Sequence, residues 1–175
     1  MAIRKGAIFL AADEQGRKIY FWNGFASGEW NPFFPTQAIR EYQITREGKV
    51  YLFTGSKETG GFCVTRQGLL LPSRLGHILE ELPQLLHYAS QPGDFLRYKG
   101  RWYGWTEITE DGRIAFSETT MDFLNLRPGM ELLSIRSSDI AFTMGAKGPL
   151  LERAARYDAA VRAEGRAETD GIPRF

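Results

Sequence analysis

The chain has 175 residues, with Lys+Arg 22 against Asp+Glu 21, two histidines and one cysteine. That length fits one domain, or two small ones sharing a core, and 43% hydrophobic with 25% charged residues excludes disorder. A formal net charge of +1 excludes a uniformly basic nucleic-acid coat and a polybasic membrane binder, while leaving room for a small basic face balanced by acid elsewhere.

Along the chain, Ala7–Leu10 and Lys18–Trp22 flank the polar turn Asp13-Glu14-Gln15-Gly16-Arg17, which predicts a hairpin. Asn23 to Pro35, rich in Gly, Pro and aromatics, reads as a loop. Glu41–Ile44 and Val50–Phe53 flank Thr45-Arg46-Glu47-Gly48-Lys49 and read as a second hairpin. Phe62-Cys63-Val64 is a strand that turns at Gly68 into a short strand, Leu69-Leu70-Leu71. Leu75, Ile78, Leu79 and Leu82 lie at the spacing of one helical face, with Ser73 as N-cap and Pro83 as the stop. After Pro92-Gly93, Asp94–Tyr98 and Arg101–Trp105 form a hairpin turning at Lys99-Gly100. Next come the turn Thr109–Gly112, a strand Arg113–Phe116, and a helix Glu118–Asn125 capped by Ser117. The turn Leu126–Gly129 then leads to a closing hairpin, Met130–Arg136 with Ile140–Met144. Leu150, Leu151, Ala154, Tyr157 and Val161 mark an amphipathic helix to about Ala163.

Gly68 answers to Gly112, and Pro92-Gly93 to Pro128-Gly129, so the order strand, turn, strand, helix, Pro-Gly, hairpin occurs twice. Residues Glu110 to Ala146 resemble the swapped-hairpin DNA-binding domain of the AbrB/SpoVT/MazE group. The signature of that group is an acidic turn ending in Gly-Arg, a short apolar strand ending in Pro, a helix, then Leu-x-x-Gly and a strand pair. Gly112-Arg113-Ile114-Ala115-Phe116, the helix to Leu124, Leu126-Arg127-Pro128-Gly129 and Leu132–Ile135 carry the likeness. Residues 62–105 resemble an extended copy in which Gly68-Leu69-Leu70-Leu71-Pro72 matches the strand and its terminal Pro. Two copies in one chain is the arrangement of the MraZ branch, where the repeats form a pseudo-dimeric barrel.

The resemblance implies an α+β, mostly β fold: a swapped-hairpin AbrB-like barrel with an added N-terminal β-hairpin layer and a C-terminal helix. The corresponding division is 1–61, an aromatic-rich hairpin region; 62–148, tandem units 62–105 and 106–148; and 149–175, the amphipathic helix and tail. It also implies a transcriptional regulator that contacts duplex DNA through the turn–strand–helix surface. Arg113 matches the turn arginine of the group, Arg66 and Arg74 are partial replacements in the first copy, and Arg97, Lys99 and Arg101 lie on the hairpin between them. Acids stand beside these cations at Glu107, Glu118 and Asp122.

The alternative is a non-enzymatic protein–protein interaction module, antitoxin-like or scaffolding, that keeps the fold without binding DNA. Trp22, Phe25, Trp30, Phe33 and Phe34 would then form its exposed partner patch. Neither reading is an enzyme. The sequence has no Gly-x-Gly-x-x-Gly, Walker loop, Gly-x-Ser-x-Gly or His-Glu-x-x-His. Glu80 and Glu81 are adjacent on a helix and point apart, His77 and His87 lie beside apolar runs, and Cys63 reads as a buried, inert thiol. One cysteine and two histidines are a poor metal set, so no metal or cofactor is expected. No run approaches a membrane span or a signal-peptide h-region, and a reducing, cytoplasmic setting with no membrane partner is expected. A homodimer is expected because an edge strand or the apolar stripe of the C-terminal helix would otherwise stay uncovered.

Overall fold

The computed structural model describes residues 8–12, 18–22, 34, 36–127, 130, 132–149, 151, 152 and 156. Eight strands form one antiparallel sheet. In chain order they are β1 (Ile8–Ala12), β2 (Lys18–Trp22), β3 (Lys49–Thr54), β4 (Phe62–Thr65), β5 (Phe95–Tyr98), β6 (Arg101–Glu107), β7 (Leu132–Arg136) and β8 (Phe142–Gly145). Short helices accompany them among the described residues: α1 (Thr36–Tyr42), α2 (Gln67–Leu70), α3 (His77–Glu81), α4 (Pro83–Leu86) and α5 (Glu118–Phe123). The fold is α+β and mostly β. The sheet order is β1-β2-β7-β8-β4-β3-β6-β5, an open row with edges at β1 and β5.

Strand alternation sends successive side chains to opposite faces, and both faces are buried. On one face Val50, Leu52, Phe62, Val64, Leu132, Phe142 and Met144 pack with Phe34, Ala38 and Tyr42 around α1 and with Met121 and Leu124 around α5. On the other, Tyr51, Phe53, Cys63, Tyr103 and Trp105 pack under Leu70, Ile78, Leu79 and Leu85 of α2, α3 and α4. A sheet covered on both sides cannot show a simple polar/apolar alternation, which is why β3 and β4 read as continuous apolar runs.

The sheet order carries an internal two-fold. Half a turn about the β4–β8 contact, where Cys63 faces Thr143, carries β4 onto β8, β3 onto β7, β6 onto β2 and β5 onto β1. Two units of hairpin, helix, hairpin follow: β1-β2-α1-β3-β4 and β5-β6-α5-β7-β8. β2 pairs with β7, and β6 pairs with β3.

The two helices stop in the same way. Gln43 and Asn125 adopt left-handed φ of 47° and 55°. The Ile44 N–H donates to the Ile39 carbonyl (3.2 Å) and the Leu126 N–H to the Met121 carbonyl (2.9 Å), the paired-bond stop of a Schellman motif. Ile44 and Leu126 are then buried as the chain enters β3 and β7. Aromatic packing repeats as well. Phe34 meets Phe142 edge-on (5.2 Å, 83°), and its equivalent Phe116 meets Phe62 (5.4 Å, 88°).

Several local expectations hold. The hairpin β1–β2 forms, with Ile8 opposite Phe21. Lys99 (φ 47°) and Gly100 (φ 81°) make the two-residue turn between β5 and β6, where two consecutive positive φ angles match the sheet twist. Ser117 caps α5 by accepting from the Thr120 N–H (3.1 Å), while the Thr120 hydroxyl donates to the Gly93 carbonyl (3.0 Å).

Other expectations are corrected. Glu41–Ile44 is not a strand but the end of α1 and its stop, because the buried pair Tyr42 and Ile44 spans a left-handed residue and not an extended one. Leu69–Leu71 is not a strand. Leu69 and Leu70 lie in the turn α2 and Leu71 caps it, with Leu70 buried and Leu71 42% exposed; a three-residue apolar run has no period to decide by. The helix expected from Arg74 begins only at His77, and Ser73 instead closes the preceding turn, donating to the Leu70 carbonyl (2.6 Å). Pro83 both ends α3 and opens α4 at its first turn. Arg113–Phe116 is extended but pairs only at Arg113. In chain order, residues 66–94, with α2, α3 and α4, lie between the hairpin β3–β4 and the hairpin β5–β6. The C-terminal amphipathic helix lies mostly outside the described residues; the Glu152 N–H bonds to the Gly148 carbonyl (3.1 Å) where it starts.

Candidate nucleic-acid interface

The sheet has two poles, exchanged by the internal two-fold. At the first lie the turn after α1, residues 43–48, the turn 108–113 after β6, and the β7–β8 loop 137–141. The Ile108 N–H donates to the Gly48 carbonyl (3.0 Å), and the Tyr42 hydroxyl donates to the Ser138 carbonyl (2.7 Å). At the second lie the Lys99-Gly100 turn, the β3–β4 loop 55–61, the α5–β7 connection and the segment after β8. There the Ala146 and Lys147 N–H groups both donate to the Thr59 carbonyl (2.8 and 3.0 Å).

The six cations singled out in the sequence do not share a surface. Arg113 and Arg66 belong to the first pole, and Lys99 and Arg101 to the second. The six steps along β6 separate the poles by about 20 Å. Arg97 sits on edge strand β5, and Arg74 lies exposed between α2 and α3.

Arg66 is removed from solvent. It is 8% exposed, its Nε donates to the Tyr42 carbonyl (3.0 Å), and its Nη1 pairs with Glu47 Oε2 at 2.8 Å. It holds the α1 stop to β4 and is not a free phosphate ligand. Glu47 also accepts from the Gly68 N–H (3.1 Å). Gly112 (φ 85°) ends the acidic turn expected before Arg113, and the Ile39 side chain fills the space a Cβ would need. Arg113 is half-exposed and lies 3.4 Å from Asp111, whose other oxygen meets the Thr109 hydroxyl. Arg136, at the same pole, pairs with Glu41 (3.0 Å) and Asp139 (2.9 Å). Attraction to Glu41 raises its pKa further above the ordinary value.

At the second pole the neighbours are rings. Arg101 lies over Phe53 (5.9 Å to the centroid), Lys99 over Tyr98 (5.4 Å) and Arg97 over Trp102 (5.9 Å). A ring orders a cation without cancelling its charge. Among the described residues none of these three has a carboxylate partner. Lys57, Arg127 and Lys147 are exposed at the same pole. No motif marked them, since they come from three separate connections that only the sheet order assembles.

The partner patch expected from the aromatic loop is corrected at Phe34, which is 4% exposed and packs in the core against Phe142 and Phe62. Trp22 ends β2, and Phe25, Trp30 and Phe33 lie outside the described residues. A different aromatic group is exposed: Phe123, 41% accessible, stacks on Phe95 (4.6 Å, 17°) and meets Trp102 edge-on (5.4 Å).

The groups considered for catalysis are separated. Cys63 is buried, and burial pushes its thiol pKa up although Thr143 bonds to the sulfur (3.2 Å); it stays protonated. His77 and His87 are exposed, with His77 Nδ1 3.0 Å from the Arg74 carbonyl. Glu80 and Glu81 face solvent. Among the described residues no cluster of His, Cys, Asp and Glu could hold a metal, and no helix is long and apolar enough to cross a membrane. Comparison with protein-family models, with curated proteins and with solved structures finds no match to the chain.

Proposed function

We propose that this chain is an AbrB-like, DNA-binding transcriptional regulator in which two swapped-hairpin units are fused into one polypeptide. The observation that supports the reading is the strand order, in which β2 pairs with β7 and β6 with β3, the pairing that an exchange of hairpins between two hairpin–helix–hairpin units would give. Part of that order recurs in the first unit: Phe33-Phe34-Pro35, the helix α1, then Ile44 to Gly48, one residue longer than Leu-x-x-Gly, and the strand pair β3–β4, without the Gly-Arg turn before it. Meeting of the edge strands β1 and β5 would close the row into the barrel that the resemblance implies. Left open, those edges would instead pair with a second copy to form a homodimer.

DNA affinity in such a protein comes from cations meeting phosphates, each releasing counterions. The test is binding of a fluorescein-labelled 24-base-pair duplex of random sequence, followed by anisotropy between 50 and 200 mM salt. Five phosphate contacts give a log–log slope of about −4.5, a loss of several hundred-fold in affinity across that range. Absence of duplex binding at 50 mM salt, or a flat response, refutes the reading.

The interaction-module reading keeps one supporting observation, the exposed Phe123–Phe95–Trp102 stack beside edge strand β5. Under that reading the duplex does not bind.

A further inference from the structure

We propose that the second pole alone meets DNA, through Lys57, Lys99, Arg101, Arg127 and Lys147, while the two-fold-equivalent first pole is closed to it by its own carboxylates. The inference rests on the DNA-binding reading above and names the surface that reading uses.

The five side chains are exposed and come from four neighbouring connections: the β5–β6 turn, the β3–β4 loop, the α5–β7 connection and the segment after β8. Strands lie about 4.8 Å apart, so from β6 to β8 the row spans about 15 Å. A duplex presents one charge per roughly 1.7 Å of its axis, so this length faces on the order of nine phosphates. The backbone under the row is fixed. The Thr59 carbonyl accepts from two successive N–H groups after β8, and the Gly60 N–H closes the loop onto the Ser56 carbonyl (2.8 Å). Glu58, Asp122 and Glu152 are the described acids nearby, and none is ion-paired with the row among the described residues. The cations are therefore free to pair with phosphate.

The first pole has the same architecture and the opposite disposition. Arg66, Arg113 and Arg136 each lie against a carboxylate of the same pole. Glu107 and Glu110 add exposed negative charge. A phosphate approaching Arg66, Arg113 or Arg136 would have to displace an internal anion, which leaves Arg40 and Arg46 as the exposed cations there without a carboxylate among the described residues, set against Glu41, Glu47, Glu107, Glu110, Asp111 and Asp139. The chain thus meets the duplex with one end of its two-fold, and a single molecule reads one half-site.

The experiment compares two double variants of the full chain in the same anisotropy assay at 100 mM salt. Lys57→Glu/Lys147→Glu alters the second pole, and Arg46→Ala/Arg136→Ala alters the first. Thermal melting of each variant verifies folding, and Lys57→Ala/Lys147→Ala provides a milder second-pole variant. The expected result is at least a tenfold loss for the second-pole reversal and a salt slope flatter by about 1.8. Affinity for the first-pole variant stays within twofold. Loss confined to the first-pole variant, or equal loss at both poles, overturns the one-pole assignment while leaving DNA binding intact. If the unaltered chain binds no duplex, the DNA reading itself falls, and the assignment with it.

Discussion

Leucine at Phe34 and leucine at Phe116 should destabilise the protein to a similar extent. These residues are equivalent under the internal two-fold. Each presents a ring edge-on to an equivalent phenylalanine, at 5.2 Å and 83° for Phe34–Phe142 and at 5.4 Å and 88° for Phe116–Phe62. Both are buried, at 4% and 5% exposure. Leucine keeps most of the apolar volume, so the loss is the edge-to-face term plus imperfect repacking, about 1–2 kcal/mol at each site. For a chain of this size that corresponds to a melting temperature lower by about 3–8 °C. Phe34 also touches Phe62 at 6.4 Å, so its loss should be the larger. Because both rings share Phe62, the double variant should depart from additivity by about 0.5 kcal/mol or more. Urea unfolding monitored by tryptophan fluorescence measures all three variants. A Phe34→Leu variant within about 0.5 kcal/mol of the parent, the value of an exposed loop residue, beside a Phe116→Leu variant that loses more than 1 would refute the two-fold core.

Two further outcomes are expected. Arg66→Met should cost about 1–3 kcal/mol in the same unfolding assay, because Glu47 and the Tyr42 carbonyl lose their partner, yet leave the salt slope of duplex binding unchanged. Burial, followed by repulsion from Glu41, raises the Tyr42 pKa from 10.0 to about 12. Its contribution is therefore fully present below about pH 10 and is lost as pH rises through about 12; Tyr42→Phe should flatten that part of the alkaline melting profile. Tyr51 and Tyr88 are raised for the same primary reason and will retain the remainder of the dependence.

Much of the β framework was legible because its turns carry their own chemistry. Lys99-Gly100 and Ser117 announce a hairpin and a cap without any knowledge of the rest of the chain. Glu41–Ile44 reads as a strand for a physical reason. The apolar spacing of Tyr42 and Ile44 suits a strand as well as the end of a helix, and glutamine at the left-handed Gln43 hides a stop that glycine would mark. The candidate interface was legible only where its cations fall together in sequence, at Arg97, Lys99 and Arg101. Lys57, Arg127 and Lys147 join them through strand order, which no local pattern encodes.

Under the proposed reading, fusion of two units into one polypeptide accounts for poles that differ over a core that is alike. In a dimer of identical chains, an acid placed at one pole appears at the other. Once the units share a polypeptide, equivalent positions can change separately. The core equivalents are kept apolar: Phe34 with Phe116, Phe142 with Phe62, Ile44 with Leu126. At the poles they part. Glu41, which pairs with Arg136 at the first, is answered at the second by Phe123, and Arg136 by Thr54. There Thr54 accepts from the Trp102 N–H (3.3 Å), while Phe123 packs on the Trp102 ring. An ion pair at one pole is an aromatic stack at the other, and that exchange removes a carboxylate from beside the basic turn. A net charge of +1 is therefore compatible with a local row of cations, since Glu41, Glu47, Glu107, Glu110, Asp111 and Asp139 stand at the opposite end.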